Sequence, residues 1–447
     1  MKKLAAFLLA LVILSVPVCP RASAAYAPDF ELKSKSVILL NTDTDTIVFQ
    51  QNQDEKVPPA SLTKIVTAIC VLEKCNDLDG TVITAPNYVF NELAGTGSST
   101  AGVVPGEELS VRNLLYCMLL QSANEAANIL ADYIGDGDMK KGVDIMNRRA
   151  KELGAVNTNF MNAHGLHDEG QYTTPNDILK ITRHALTIPV FSEIVKAVRY
   201  DLPATNKNAK KILVSTNWVQ DVVLGGSKYY YQYCKGVMTG RTDEAGYCFV
   251  STADRGGYHY LAICMGAPYR DPQGKAYDNG AFLDAVGLYK WAFGTFSTKP
   301  VIDSEEPVCE VKISMTWNND TLQLVPRESI TALVPNEVDK TSVLVKAINL
   351  PKEIKAPVKK GDVICKASVM LMGEEIAQID LVASESAERS TMLYVLSVLN
   401  GIVSSGWLWF IAAIVLLVVL IIAYIIFAII HNRKRLGVKK IRKFRRM

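Results

Sequence analysis

From Trp407 to Ile430 the chain carries no charged side chain. At about 1.5 Å of rise per residue, a helix of that stretch crosses the hydrocarbon core of a bilayer. Hydrocarbon leaves backbone polar groups no partner but the chain itself, so the segment is expected to be a helix. Trp407, Trp409 and Tyr424 suit interfacial or near-interfacial positions. Beyond it the tail from His431 to Met447 carries nine Lys or Arg and no acid. The positive-inside rule assigns such a tail to the cytoplasm. A basic tail can also hold nucleic acid, but a topology anchor accounts for its place directly after an apolar segment, so no nucleic-acid partner is expected.

The other end reads Met1-Lys2-Lys3, an apolar run from Leu4 to Val18, then Ala22-Ser23-Ala24. This is the pattern of a secretory signal peptide cleaved near Ala25. Val18 is too bulky to make Cys19 a lipid-attachment site. The formal net charge of +3 then divides unevenly: setting aside the tail's nine cations leaves −6, and setting aside Lys2, Lys3 and Arg21 leaves −9 for the exported part. Nine cysteines are present, and Cys19 leaves with the signal peptide. An exported chain can form disulfides, yet this one is long enough to bury a core without them. With no Cys-x-x-Cys among them, most of the remaining cysteines are read as buried thiols. His164 and His167 stand three apart on a glycine-containing segment without a His-Glu-x-x-His. That spacing leaves open a zinc pair or, the favoured reading, ordinary loop histidines.

About 380 residues lie between signal and anchor, which is room for two domains. Val37 to Leu40, the polar turn Asp43 to Thr46 and Ile47 to Phe49 read as a hairpin. A mostly helical stretch follows from about Ser61 to Ala197, with segments at Val111 to Leu120, Glu125 to Ile134, Met139 to Leu153 and Asn176 to Leu186. Strands return at Lys235 to Gly240, Gly246 to Thr252 and Tyr258 to Met265, the last two joined by Asp254-Arg255-Gly256-Gly257. A last helix is expected from Gly280 to Phe293. Strands at both ends of a helical insertion, rejoining in one antiparallel sheet, make an α+β domain over 28–298. Past Thr298 helical periodicity disappears. Cys309 to Met315, Thr341 to Ile348 and Ile364 to Leu371 read as strands, punctuated by Pro351, Pro357 and Lys359-Lys360-Gly361-Asp362. The expected division is a signal peptide over 1–24, the α+β domain, a small all-β domain over 300–383, a partly helical membrane-proximal connector over 384–405, a transmembrane helix over 406–430 and a basic cytoplasmic tail over 431–447.

Within the larger domain three short segments carry chemistry. Ser61-Leu62-Thr63-Lys64 follows Pro58-Pro59-Ala60 and opens the apolar run Ile65 to Leu72. Residues i and i+3 share a helix face, so Ser61 and Lys64 can meet. A serine hydroxyl needs a neighbour to take its proton, and a lysine does so only when burial or another cation lowers its pKa. Ser122-Ala123-Asn124 follows the apolar helix ending at Leu120 and offers a second hydroxyl and an amide. Ser122 can alternatively be the N-cap of the next helix, and Ser215-Thr216-Asn217 matches the same pattern. Met238-Thr239-Gly240-Arg241 lies on an expected strand, where a glycine lets a substrate backbone approach and Thr239 can donate to a carboxylate.

In this order, Ser61-x-x-Lys64, Ser122-x-Asn124 and the Thr239-Gly240 strand resemble the penicillin-recognising serine peptidases. Their flanks, Pro59-Ala60, Gln121, Glu125-Ala126-Ala127 and Thr242 with Glu244-Ala245-Gly246-Tyr247-Cys248, are similar to the low-molecular-mass D-alanyl-D-alanine carboxypeptidases over roughly Ser36 to Thr295. The resemblance implies a serine transpeptidase/β-lactamase-like domain followed by the small all-β domain and the anchor. It implies Ser61 as nucleophile, Lys64 as its base and Ser122 as proton relay. It also implies Asn124, Thr239, Gly240 and Arg241 in substrate binding, with the N–H groups of Ser61 and Arg241 as oxyanion hole. The substrate would be a peptidoglycan stem peptide and β-lactams would be inhibitors. No metal or organic cofactor is implied. One residue departs from the pattern: where the family's third motif begins with lysine, this chain has Met238. Arg241, or another arginine, is expected to take the substrate's carboxylate instead. The alternatives are a catalytically impaired scaffold or binding protein and, with no deacylating glutamate motif in view, a β-lactamase.

Overall fold

The computed structural model describes residues 27–443 apart from 318–319, 339–341, 372–373 and 405. The expected signal peptide and the last four residues of the basic tail lie outside the described residues. By contacts the described chain divides into a larger unit ending at Ser297, joined by Leu333–Asn336, and a smaller unit formed by the rest.

The larger unit is built on one antiparallel sheet. Its hairpin β1 (Ser36–Asn41) and β2 (Thr46–Gln51) opens the chain. Two short ladders lie apart from it: β3 (Val82–Thr84) with β4 (Glu108–Ser110), and β5 (Arg199–Leu202) with β6 (Lys211–Val214). Strands β7 (Cys234–Thr242), β8 (Gly246–Arg255) and β9 (Tyr258–Ala267) complete the main sheet in the order β2-β1-β9-β8-β7. The hairpin between β8 and β9 turns through Gly256 and Gly257, both at positive φ, as a two-residue loop of this twist requires. Strand β1 is buried at every position because both sheet faces are covered. Ile38 and Leu40 face the helices, whereas Val37 and Leu39 face the opposite layer, the period-two alternation of a strand. That opposite layer is the helix Gly280–Thr295, whose Phe282, Ala285 and Tyr289 pack with Phe249, Tyr260 and Ala262.

The helical layer contains α1 (Lys64–Lys74), α2 (Val111–Leu120), α3 (Asn124–Ile134), α4 (Met139–Glu152), α5 (Pro175–Thr187) and α6 (Pro189–Lys196). Helix α1 is its centre: every residue from Lys64 to Val71 is buried, and α3, α4 and α5 pack around it. Helix α5 begins at Pro175, with the Thr174 hydroxyl accepting from the Asp177 N–H, a serine/threonine cap followed by proline at the first helical position.

The stretch expected to be mostly helical is interrupted twice. Between α1 and α2 run the β3–β4 ladder, a 3-10 turn at Asn87–Leu93 and an irregular segment containing Gly95, Gly97, Gly102 and Gly106, all at positive φ. Residues 154–174 likewise contain no α-helix. Glycines at positive φ, with Pro86 and Pro105, cannot continue a helix, and both irregular segments border the site described below.

In the smaller unit a six-stranded sheet runs in the order Val343–Ile348, Val363–Leu371, Glu374–Ala383, Thr321–Pro326, Cys309–Ser314 and Glu353–Lys355. Leu322, Leu324, Ala367, Val369 and Leu381 lie in its interior. Three of its strands, Glu353–Lys355, Thr321–Pro326 and Glu374–Ala383, lie outside those expected from the sequence. The connector contains a helix at Thr391–Ser404, and a second helix runs from Trp407 to Lys443. Of the described helices, one span, Trp409–Arg433, is long and apolar enough to cross a membrane. The helix continues through the basic residues beyond it. The eight described cysteines are free thiols, all buried but the half-buried Cys309.

Candidate active site

The site is assembled around a strained turn. Ala60 adopts φ +46°, an unfavourable conformation for a residue with a Cβ. From Ala60 to Thr63 the chain makes one 3-10 turn, closed by the Thr63 hydroxyl donating to the Ala60 carbonyl at 2.9 Å, and α1 begins at Lys64. Ser61 therefore stands just ahead of the α-helix rather than within it. Two glycines hold the turn. A Cβ on Gly165 would lie 1.9 Å from the Ala60 carbonyl oxygen, and one on Gly240 would lie 3.1 Å from both the Ala60 Cβ and the Ser61 nitrogen. The space that Gly240 leaves is taken by the chain's own Ser61 turn, a role its sequence context did not disclose.

Lys64 is completely buried. Its Nζ donates to Ser61 Oγ at 2.9 Å, Asn124 Oδ1 at 2.8 Å and the His164 carbonyl at 2.6 Å. Three acceptors satisfy the three protons of an ammonium. Burial nevertheless disfavours the charge and lowers the Lys64 pKa from 10.5 to about 7, while the negative charge of Glu125 works the other way. A neutral amine keeps two protons and one lone pair. Asn124 and the His164 carbonyl can take those protons, leaving the lone pair to receive the Ser61 proton.

Ser122 lies in the turn between α2 and α3, 5% exposed and at φ +55°. It does not cap α3: the N-cap is Ala123, without a side-chain bond. The N-cap alternative is thereby set aside, and the turn holds Ser122 in a conformation that capping does not require. Asn124 opens α3, its N–H bonded to the Ser99 carbonyl at 2.9 Å.

On the opposite side β7 supplies Thr239, whose hydroxyl is 2.7 Å from that of Thr216. Thr216 is tied by its N–H to the Leu120 carbonyl at 2.9 Å, and Asn217 Nδ2 donates to the Gly236 carbonyl at 2.9 Å. The repeated Ser-x-Asn pattern at Ser215 to Asn217 thus lies against the third motif, a placement sequence spacing could not reveal. Met238 is 1% exposed. Strand alternation sets it on the face of Gly240, toward the helical layer. A bulge does interrupt β7 between Lys235 and Met238, but Lys235 is exposed. Arg241 is exposed too and packs over the Tyr269 ring at 4.6 Å, in register opposite Tyr247. Arg270 lies over the same ring at 4.6 Å but is paired with Asp243 at 3.1 Å. Arg241 has no acidic partner among the described residues.

The two histidines part company. His164 is buried, its Nδ1 accepting from the Leu166 N–H at 3.1 Å and its Nε2 facing Glu92 Oε1 at 3.0 Å. Burial lowers its pKa. His167 is exposed. Among the described residues no group of three or more His, Cys, Asp or Glu is arranged to hold a metal ion.

Residues 21–269 match the family model described as D-alanyl-D-alanine carboxypeptidase. The chain belongs to that family. Residues 296–389 match a second model, the C-terminal domain of penicillin-binding protein 5. Family relatives include the D-alanyl-D-alanine carboxypeptidase DacF of Bacillus subtilis, 29% identical across 80% of this chain and 87% of its own length. DacC of Escherichia coli is 28% identical across 82% and 89%. The fold is that of the crystal structure of the carboxypeptidase DacD from Francisella tularensis, with a TM-score of 0.61, 23% identity, and coverage of 84% of this chain and all of that one.

Proposed function

We propose that this protein is a membrane-anchored serine D-alanyl-D-alanine carboxypeptidase that trims peptidoglycan stem peptides outside the cytoplasm. The observation that carries the reading is the buried Lys64, with Nζ 2.9 Å from the Ser61 hydroxyl and a pKa of about 7. In the reaction Ser61 Oγ attacks the carbonyl between the two D-alanines and gives its proton to neutral Lys64. The carbonyl oxygen gathers negative charge, which the N–H groups of Ser61 and Arg241 stabilise. The contact of Gly240 with the Ser61 turn supports this pairing by bringing the two chain segments together. Collapse of the intermediate breaks the peptide bond. Ser122 passes the proton held by Lys64 to the departing amine, and terminal D-alanine leaves. Water then hydrolyses the ester on Ser61 and returns the enzyme. Asn124 accepts from Lys64 through Oδ1, which leaves its amide hydrogens for a substrate carbonyl. Thr239 donates to the substrate carboxylate. Arg241, with no acidic partner among the described residues, supplies the charge that Met238 lacks.

The span Trp409–Arg433 serves as the anchor, with the basic tail in the cytoplasm. β-Lactams present a strained amide in place of the D-alanyl-D-alanine bond and acylate Ser61. The test is to incubate the detergent-solubilised full-length protein with a fluorescent penicillin. A long-lived covalent band, absent in Ser61→Ala, supports the peptidase. A folded protein that takes no label is a scaffold, and a label shed within seconds is the mark of a β-lactamase.

A further inference from the structure

Glu125 directly follows Asn124 in the first turn of α3 and is 3% exposed. Three donors converge on its Oε1: the Thr100 hydroxyl and the Ala101 N–H at 2.7 Å each, and the Val103 N–H at 3.4 Å. With the Asn124 N–H on the Ser99 carbonyl, one helical turn holds the segment Ser99–Val103 at four points. This segment has no helix or strand of its own, and glycines at positive φ stand before and within it, at Gly95, Gly97 and Gly102. A chain of that composition orders only where something fastens it. The outer side is fastened by the tip of the β5–β6 hairpin. Asn208 Nδ2 donates to the Gly102 carbonyl at 3.0 Å, the Lys211 amine donates to the Ala101 carbonyl, and Thr205 holds buried Glu107 at 2.7 Å. The inner side is fastened by Glu125.

We propose that Glu125 is a positioning residue of the acylation: its carboxylate binds the Ser99–Val103 segment to the Ser122–Asn124 turn, so that the segment bordering the site and the Asn124 amide are set by one side chain. The proposal rests on the serine-peptidase reading. It adds a second consequence, because the same carboxylate is the negative charge acting on Lys64. Met238 puts no cation on the face where the family's lysine would stand. The proton affinity of Lys64 is therefore set by burial, which lowers it, against Glu125, which raises it. Among the described residues, ionisable groups near the pair include His164, held by Glu92, on the Lys64 side, and Cys117, on which Glu125, Glu107 and Lys211 all act, on the other.

Glutamine keeps an oxygen where Oε1 stands and removes the charge, whereas alanine removes both. The experiment measures penicillin acylation of full-length protein from pH 5 to 9 and amide hydrogen exchange over residues 98–103. In Glu125→Gln the segment keeps its protection, and the acid limb of the acylation profile moves to lower pH by about half a unit or more. In Glu125→Ala protection of the segment is lost and acylation falls about tenfold or more at every pH. Glu125→Asp restores the pH limb toward that of the parent. An unmoved limb in Glu125→Gln, or native exchange and native rate in Glu125→Ala, overturns the proposal. If the parent protein itself takes no label, the peptidase reading fails, and the exchange data still decide whether Glu125 holds the segment.

Discussion

Lys64 Nζ stands 2.9 Å from Ser61 Oγ on a side chain with no solvent exposure. In the proposed reaction the hydroxyl gives its proton to the neutral amine, so the protonation state of Lys64 would gate the chemistry. With a Lys64 pKa of about 7, the rate constant for acylation is expected to fall about tenfold per pH unit below 7 and to level off above it. Stopped-flow acylation by a chromogenic penicillin across that range checks the limb. A rate still flat down to pH 5 would assign the proton to another base.

The same burial has a signature in stability. The folded-state pKa of about 7 lies below the ordinary 10.5, so between those values the unfolded chain binds the extra proton and the folded one does not. Stability from this group therefore rises with pH through that window and is lowest below 7, by on the order of 5 kcal/mol for a shift of this size. Lys64→Met removes the titration. The unfolding free energy of the parent relative to Lys64→Met is expected to climb by several kcal/mol from pH 7 to 10.5. Parallel curves in denaturant titrations would contradict the buried amine.

The glycine clamp makes a contrasting pair of variants. Gly165→Ala would set a Cβ 1.9 Å from the Ala60 carbonyl at φ +90°, with no flexible atom to give way. A loss of about 2 kcal/mol or more in stability is expected together with loss of acylation. Gly240→Ala meets its neighbours at 3.1 Å, which a shift of a few tenths of an ångström relieves. Its stability should change by less than about 1.5 kcal/mol, while acylation falls about tenfold or more because the Ser61 nitrogen moves.

Arg241 is exposed and contributes no ion pair among the described residues, so Arg241→Ala is expected to leave the melting temperature within a few degrees of the parent. Hydrolysis of a peptide ending in D-alanyl-D-alanine should lose about tenfold or more in kcat/KM, mostly through KM, if Arg241 receives the carboxylate. An unchanged kcat/KM would leave that role to another residue.

What could be read from the chain was local. Ser61 and Lys64 stand out because one turn brings i and i+3 together, and β1 and the β8–β9 hairpin because alternation and Gly256-Gly257 are short-range signals. Helix α2 has the limits expected for it, Val111 to Leu120. What escaped was carried by backbone atoms or by distant pairing. The His164 carbonyl that completes the Lys64 site leaves no side-chain signature, and Thr216 meets Thr239 only after β7 folds beside it. Glu125 looks like an ordinary acid at a helix start, where the macrodipole favours one anyway. The segment between α1 and α2 breaks the mostly helical stretch because Gly95, Gly97, Gly102 and Gly106 take positive φ. Glu374–Ala383 was missed because its acidic start hides the alternation that follows.

The most direct test is to mix the purified full-length protein with a pentapeptide ending in D-alanyl-D-alanine, measure free D-alanine, and quench for mass analysis of the peptide containing Ser61. Stoichiometric turnover, with an acyl adduct of the shortened stem trapped on Ser61 and neither seen in Ser61→Ala or Lys64→Ala, is the expected result. Release of D-alanine that survives loss of the Ser61 hydroxyl, or a folded parent that releases none, would contradict the account.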